Sequence, residues 1–367
     1  MSATPEKHAT APFIAWSCAH DYNQFAPAFQ ISCEKHLREA QSQMKGIVGP
    51  PAVEGIILYD RLERGMAVAS LLNREDRPLP QSCNGASCDS HFDEDALCNE
   101  TNDFSFQARI HAGSRGMLVR LGNDESRRFI LLDQREAAHL HPRGRKEHPD
   151  LALAAYGLLA HELGHARDYA DGRPGLASQD EIAAIVGPVR GEALHAITDM
   201  ALAEYIATRA ECKAQVAHHG ACAEALTRRI GQMTRQDMAL PGLEQTDLEG
   251  DTLRQRQMDL LTAGYLIGTL SAYREARAPI RDEDGKHFPL NTEQMLDRRL
   301  SKNSLLKGIL DKAAPALERA ARAPDAAVRK ELVSSLSSAI TEAQQEKQDR
   351  KRPKISEASF GDWFDEL

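Results

Sequence analysis

The chain has 367 residues, a hydrophobic fraction of 42% and a formal net charge of -9. That length supports a sizeable core in one large or two modest domains, and a pI near 5.9 speaks against nucleic-acid binding, which calls for a concentrated basic face. No apolar run approaches the roughly 18 residues that span a bilayer, and the start MSATPEKHATAPFIAWSCAH lacks the charged lead and long apolar core of a secretory signal. The sequence therefore predicts a soluble chain with no membrane span and no nucleic-acid partner, cytoplasmic or exported by a leaderless route. Aromatic residues make up 5%, and Ala and Leu dominate the second half, which favours helices over sheets.

In chain order, residues 1–26 read as an extended or weakly ordered lead-in. Residues 27–73 read as helical, broken at Gly49-Pro50-Pro51, with a buried strand at Gly55-Ile56-Ile57-Leu58-Tyr59. A polar, acidic loop, QSCNGASCDSHFDEDALCNETND, runs on to about residue 103. The seven cysteines fall in clusters: Cys18 and Cys33; Cys83, Cys88 and Cys98; Cys212 and Cys222. Such grouping permits local disulfides and equally suits free thiols, and without C-x2-C spacing it argues against a second zinc. β-formers at 104–111, 116–121 and 128–132, set between Gly-Ser and Gly-Asn turns, predict a small antiparallel sheet.

From about 150 the chain reads as nearly all helix, with breaks near 172–178, 218–222, 239–247, 277–292 and 323–325. The first of these helices, expected over about 150–170, contains His161-Glu162-Leu163-Gly164-His165. Residues four apart share a helical face, so both imidazoles can converge on one zinc ion. Glu162, three residues before His165, stands beside that ion and can take a proton from a zinc-bound water. This is machinery for attack on an amide carbonyl.

Catalytic zinc needs a third protein ligand that leaves one position open. Positions 168 and 171, where three-histidine zinc proteases continue their motif, hold Asp. A carboxylate from a later helix is the alternative, and Ala203-Glu204-Tyr205-Ile206-Ala207-Thr208-Arg209-Ala210-Glu211 offers one. Glu204, Ala207, Thr208 and Glu211 share a face, and the small Ala207 lets that helix come close. Glu204 is the first choice; Glu211 serves if the helix comes in from the other direction, and His195 is a third option, better suited to a place beside the substrate oxygen. Asp168 or Asp199 can orient a histidine ligand, although Asp168 can as well pair with Arg167 or Arg173. His218-His219, next to Gly220, reads as a surface turn.

HELGHARDYADG followed 39 residues after His165 by AEYIATRA resembles the catalytic core of the gluzincin metallopeptidases, and within them the protease domain of anthrax lethal factor. The likeness covers residues 155–211. It implies one zinc per chain, ligands His161, His165 and Glu204, and Glu162 as base, in a zincin-like core whose edge strand pairs with extended substrate. It also departs from that family. Where lethal-factor proteases carry an oxyanion-steadying Tyr this chain has Ile197, which leaves His195 as the best candidate by position, with Tyr205 and Tyr265 behind it.

The expected fold is α+β and mostly helical. An N-terminal region (1–103) precedes a zincin-like core (104–240) with a small antiparallel sheet before the zinc helix. A helical subdomain (241–346), built from long helices over 246–276 and 293–346, packs on that core. A charged, flexible tail (347–367) ends in Phe360-Gly361-Asp362-Trp363-Phe364-Asp365-Glu366-Leu367, which offers Trp363 and Phe364 for docking on a partner or back on the protein itself. The expected function is a zinc endopeptidase acting on a protein or peptide substrate, a bacterial effector or toxin by analogy with lethal-factor-like cores. An intracellular regulatory protease and a catalytically inactive zinc-stabilised scaffold are the alternatives.

Overall fold

Four short strands meet in one sheet in the order β1-β2-β4-β3: β1 (Phe13–Trp16), β2 (Gly55–Tyr59), β3 (Gly116–Leu121) and β4 (Arg127–Asp133). The computed structural model describes residues 12–17, 27–50, 52–74, 98–102, 104, 114–121, 127–235, 243, 249–281 and 286–351. β1, β2 and β4 run parallel, and β3 is antiparallel to β4 at one edge.

Alternation along the strands explains why this sheet is covered on both faces. Ile14, Trp16, Ile56, Leu58, Ile130 and Leu132 form one apolar layer, against which α1 (Pro27–Val48) packs. The residues between them, Phe13, Ala15, Ile57, Tyr59, Phe129 and Leu131, form the other, covered by α2 (Leu62–Arg74). After β4 come α3 (Gln134–Leu140), capped by the Asp133 side chain, α4 (Pro142–Glu147) and α5 (Pro149–Ala170). Ala155, Tyr156, Leu159, Ala160 and Leu163 of α5 join α1 on the first face.

The rest is helical: α6 (Gln179–Val186), α7 (Pro188–His219), α8 (Ala225–Met233), α9 (Gly250–Ala276), α10 (Thr292–Leu300), α11 (Ser304–Arg322) and α12 (Ala326–Lys351), with a two-stranded parallel pair, β5 (Cys222–Ala223) and β6 (Ile280–Arg281). These helices share one core that draws on Ile182, Leu202, Ile267, Leu310 and Leu336 alike. α7 and α5 run antiparallel where Gly164 faces Ala207 and Ala210, and Gly157 faces Glu211 and Gln215. A Cβ on Gly164 would lie 3.0 Å from the Ala207 Cα, so the approach expected of Ala207 is present, and Gly164 is its other half.

Several expectations change. The sheet is mixed, because the parallel β1 and β2 join it. Residues 13–16, expected as part of an extended or weakly ordered lead-in, form a buried strand. The boundary at 103/104 therefore cuts through a sheet, and the one at 240/241 cuts through the core shared by α7 and α9. The stretch expected as long helices over 293–346 is three helices: the expected break at 323–325 precedes α12, and the Asn303 side chain adds a second division by capping α11. Residues 105–113, most of the cysteine loop and the tail from 352 on, with Trp363 and Phe364, lie outside the described residues. Among the described residues no helix is long and apolar enough to cross a membrane.

Candidate metal centre

α5 carries His161 and His165 one turn apart and α7 brings Glu204 across from them. The donor atoms gather tightly: His161 Nε2 to His165 Nε2 is 3.1 Å, His165 Nε2 to Glu204 Oε1 is 3.4 Å, and His161 Nε2 to Glu204 Oε2 is 3.6 Å. Metal–ligand bonds of 2.0–2.1 Å at tetrahedral angles put donors about 3.3 Å apart, so these three fit one ion of that size. The two imidazoles and one carboxylate leave a fourth position without a protein ligand.

The centre is buried. His161, Glu162 and Glu204 are each less than a tenth exposed. Burial by itself raises a carboxyl's proton affinity. For Glu204 the hydrogen bond and charge of His165, with His161 and Arg229 behind them, outweigh that and hold it at about 2. For Glu162 burial prevails: His161, His165 and a hydrogen bond from the Leu118 backbone N–H pull its carboxyl down, yet it stays above the ordinary range.

Glu162 thus stands at the sheet edge. Asp133 N donates to Arg115 O at 2.8 Å, so Arg115, Met117, Val119 and Leu121 turn their backbone groups to β4 and Gly116, Leu118 and Arg120 turn theirs outward. The Leu118 N–H serves Glu162. A Cβ on Gly116 would lie 3.3 Å from Glu162 Cγ, so this strand lies directly against α5.

Glu211 has a different place from Glu204. Its Oε2 lies 3.4 Å from His161 Nδ1, on the far side of the ring from the donor cluster, where a carboxylate fixes tautomer and ring orientation. Arg229, on α8, stands behind it with Nη1 3.6 Å from the same oxygen, and its Nη2 donates to the Tyr265 hydroxyl at 2.7 Å. One turn along α9, the Thr269 hydroxyl lies 3.3 Å from Glu204 Oε2. α9 therefore touches both carboxylates, directly or through Arg229. Of these residues Tyr265 was visible in the sequence only as a weak oxyanion candidate; Arg229 and Thr269 carried no signal, because they come from beyond the HELGH–AEYIATRA stretch.

Other expected residues lie elsewhere. His195 is nine residues before Glu204 on the same helix, about 13.5 Å along the axis and half a turn round, so α7 does not bring it to the donor cluster. Its charged neighbour is Arg173, which together with burial lowers its proton affinity. Asp168 is a buried partner of Arg173 (Nε to Oδ2, 2.9 Å), and Asp199 binds the same guanidinium. Both are committed to Arg173, and Glu211 takes the ring-orienting place. The Tyr205 hydroxyl donates to Glu275. His218 reaches Gln43 O and His219 lies edge-on to Tyr156, both at the end of α7. Cys33, Cys98, Cys212 and Cys222 are free thiols; Cys212 and Cys222 meet through a hydrogen bond with no disulfide, and Cys18, Cys83 and Cys88 lie outside the described residues.

No family model matches the chain, no curated protein is significantly similar to it, and no solved structure matches it.

Proposed function

We propose that the chain is a zinc-dependent endopeptidase of the gluzincin type, with His161, His165 and Glu204 holding the ion and Glu162 as general base. The observation that carries this reading is the tetrahedral spacing of three donors with a further buried carboxylate beside them. Two imidazoles and a carboxylate also suit iron(II). Glu162 favours hydrolysis, since a proton acceptor next to the open position is what amide hydrolysis requires.

A zinc ion held by His161, His165 and Glu204 would lower the pKa of water and polarise a carbonyl oxygen. Glu162 takes the proton of the attacking water and passes it to the leaving amine. Its burial suits this shuttle, because a carboxylate with raised proton affinity is the stronger base. The Leu118 N–H keeps the carboxylate aimed. The outward backbone groups of Gly116, Leu118 and Arg120 offer an extended polypeptide a strand to pair with, which supports a protein or peptide substrate.

Metal analysis of the purified chain should find one zinc per molecule. Glu162→Gln should keep the metal and lower peptide cleavage by about 10²–10⁴-fold, read as the loss of new N-termini in a proteome exposed to it. Absence of stoichiometric zinc, or undiminished cleavage by Glu162→Gln, sinks the proposal; zinc without cleavage by the unaltered chain leaves a zinc-stabilised scaffold.

A further inference from the structure

Away from the donor cluster, α5 and α7 enclose a second feature. A cavity of about 240 Å³ opens where they cross, between the end of α1, α5, α7 and the end of α11. Ile47, Val48, Ile206, Ala210, Ala320 and Ala321 form its apolar wall, and Gly164 its floor. It is smaller than the roughly 300–1,000 Å³ of drug-sized sites, so its occupant is compact.

Charge is unevenly spread around it. Arg167 is matched by Asp171, and Asp168 and Asp199 share Arg173. At the other end Arg209, Lys213 and Arg322 crowd together. Glu275 serves two of them, 3.3 Å from Arg209 Nε and 2.5 Å from Arg322, while accepting from the Tyr205 hydroxyl. Glu318 adds a second contact to Arg322. Lys213 has no ion pair among the described residues. Three cations thus face two carboxylates. Lys213 feels this surplus: partial burial of its ammonium and the adjacent Arg209 lower its proton affinity.

We propose that this cavity is a binding site for a compact amphipathic carboxylate, whose head sits between Lys213 and Arg209 and whose short aliphatic body lies along Ile47, Ile206 and Ala321. An anion there balances the surplus charge, which a neutral ligand does not. The apolar wall contributes through burial of the hydrocarbon, which acetate and sulfate lack.

Calorimetric titration of the full chain with hexanoate should show one site, with affinity at least about tenfold above that for acetate, sulfate or hexan-1-ol. Lys213→Met, a change at an exposed position, should weaken hexanoate about tenfold, and Ala321→Phe, which fills the cavity, should remove binding. Hexan-1-ol binding as tightly as hexanoate, or hexanoate binding unchanged in Lys213→Met, overturns the assignment. Sulfate binding as tightly as hexanoate reduces the site to a charge patch and overturns it too. None of these readings depends on zinc or on peptide cleavage.

Discussion

Glu162, Glu204 and Glu211 are three buried carboxylates that share one neighbourhood with a single guanidinium, Arg229. With neutral imidazoles such a cluster is two negative charges in excess, and uncompensated buried charge is strongly unfavourable. Despite burial, the carboxylates raise the proton affinity of His161, so a proton there offsets part of the excess; a bound divalent cation would offset all of it. The roles of Glu204 and Glu211 then separate by experiment. Glu211→Gln keeps the side chain's size but removes the charge facing His161 Nδ1, and zinc affinity should fall about 10–100-fold; Glu204→Gln should weaken it more. Competition with a chromophoric chelator measures both, and the reverse ranking would make Glu211 the ligand. A second residue carries a pH signature. Cys33 is fully buried and its thiol is pushed up to about 12 from an ordinary value of 9.0. The unfolded chain sheds that proton first, so the stability Cys33 confers is whole below pH 9.0 and drains as pH rises toward about 12. Urea midpoints over that range should fall less steeply in Cys33→Ala, and a slope unchanged by the substitution would assign the alkaline loss to other groups.

At the scale of elements, the glycines of α5 change meaning once α7 is in view. By propensity each costs a helix about 1 kcal/mol relative to Ala, yet Gly164 is where the α7 backbone at Ala207 meets α5. Gly164→Ala gains about 1 kcal/mol of helix propensity, but its Cβ would sit 3.0 Å from Ala207 Cα and 3.1 Å from Ala210 Cβ. Overpacking of that kind costs about 1–3 kcal/mol, so the net should be a loss, accompanied by weaker zinc binding as the donors separate. Gly308→Ala, in α11 with nothing within 4 Å of the added Cβ, should instead stabilise by about 1 kcal/mol. Urea denaturation of the two variants compares them directly, and equal shifts would mean that α5 and α7 yield freely. The same contrast explains what the sequence revealed. HELGH, Ala207 and Glu204 are legible because helical spacing is a local rule. The antiparallel β3–β4 pair is legible for the same reason, its turn being local. β1 is four residues long and pairs in parallel with a strand some forty residues away, and nothing local records such a partner. Arg229 and Thr269 were hidden likewise, as was the place of Tyr265 behind Glu211, since each reaches the centre by the packing of a whole helix.

At the scale of the molecule, the divisions drawn from composition do not coincide with the units that hold the centre in place. β4 leads through α3 and α4 into α5, and β4 lies between β2 and β3 in the sheet. Without β1 and β2 it loses its parallel neighbour, and one face of Ile130 and Leu132 loses α1. On the other side α7 buries Leu194, Ile197, Ala201 and Leu202 in a core completed by Leu266, Ile267 and Leu270 of α9 and by α11 and α12. Gly264 and Gly268 let α9 lie against the α7 backbone at Ile197 and Ala201, which is what brings Thr269 to Glu204 and Tyr265 to Arg229. A fragment of residues 104–240 holds all three candidate ligands and the proposed base, yet it exposes both of these surfaces at once. Each fully buried Leu or Ile so exposed forfeits about 1.5–3 kcal/mol, and a handful exceeds the whole stability of an ordinary domain, about 5–15 kcal/mol. The fragment should therefore lack fixed tertiary structure in near-ultraviolet circular dichroism and should bind zinc at least about 100-fold more weakly than the full chain, as the coupling of metal binding to folding requires. If instead residues 104–240 bind zinc as tightly as the full chain, α9 is a covering on the centre and no part of its support.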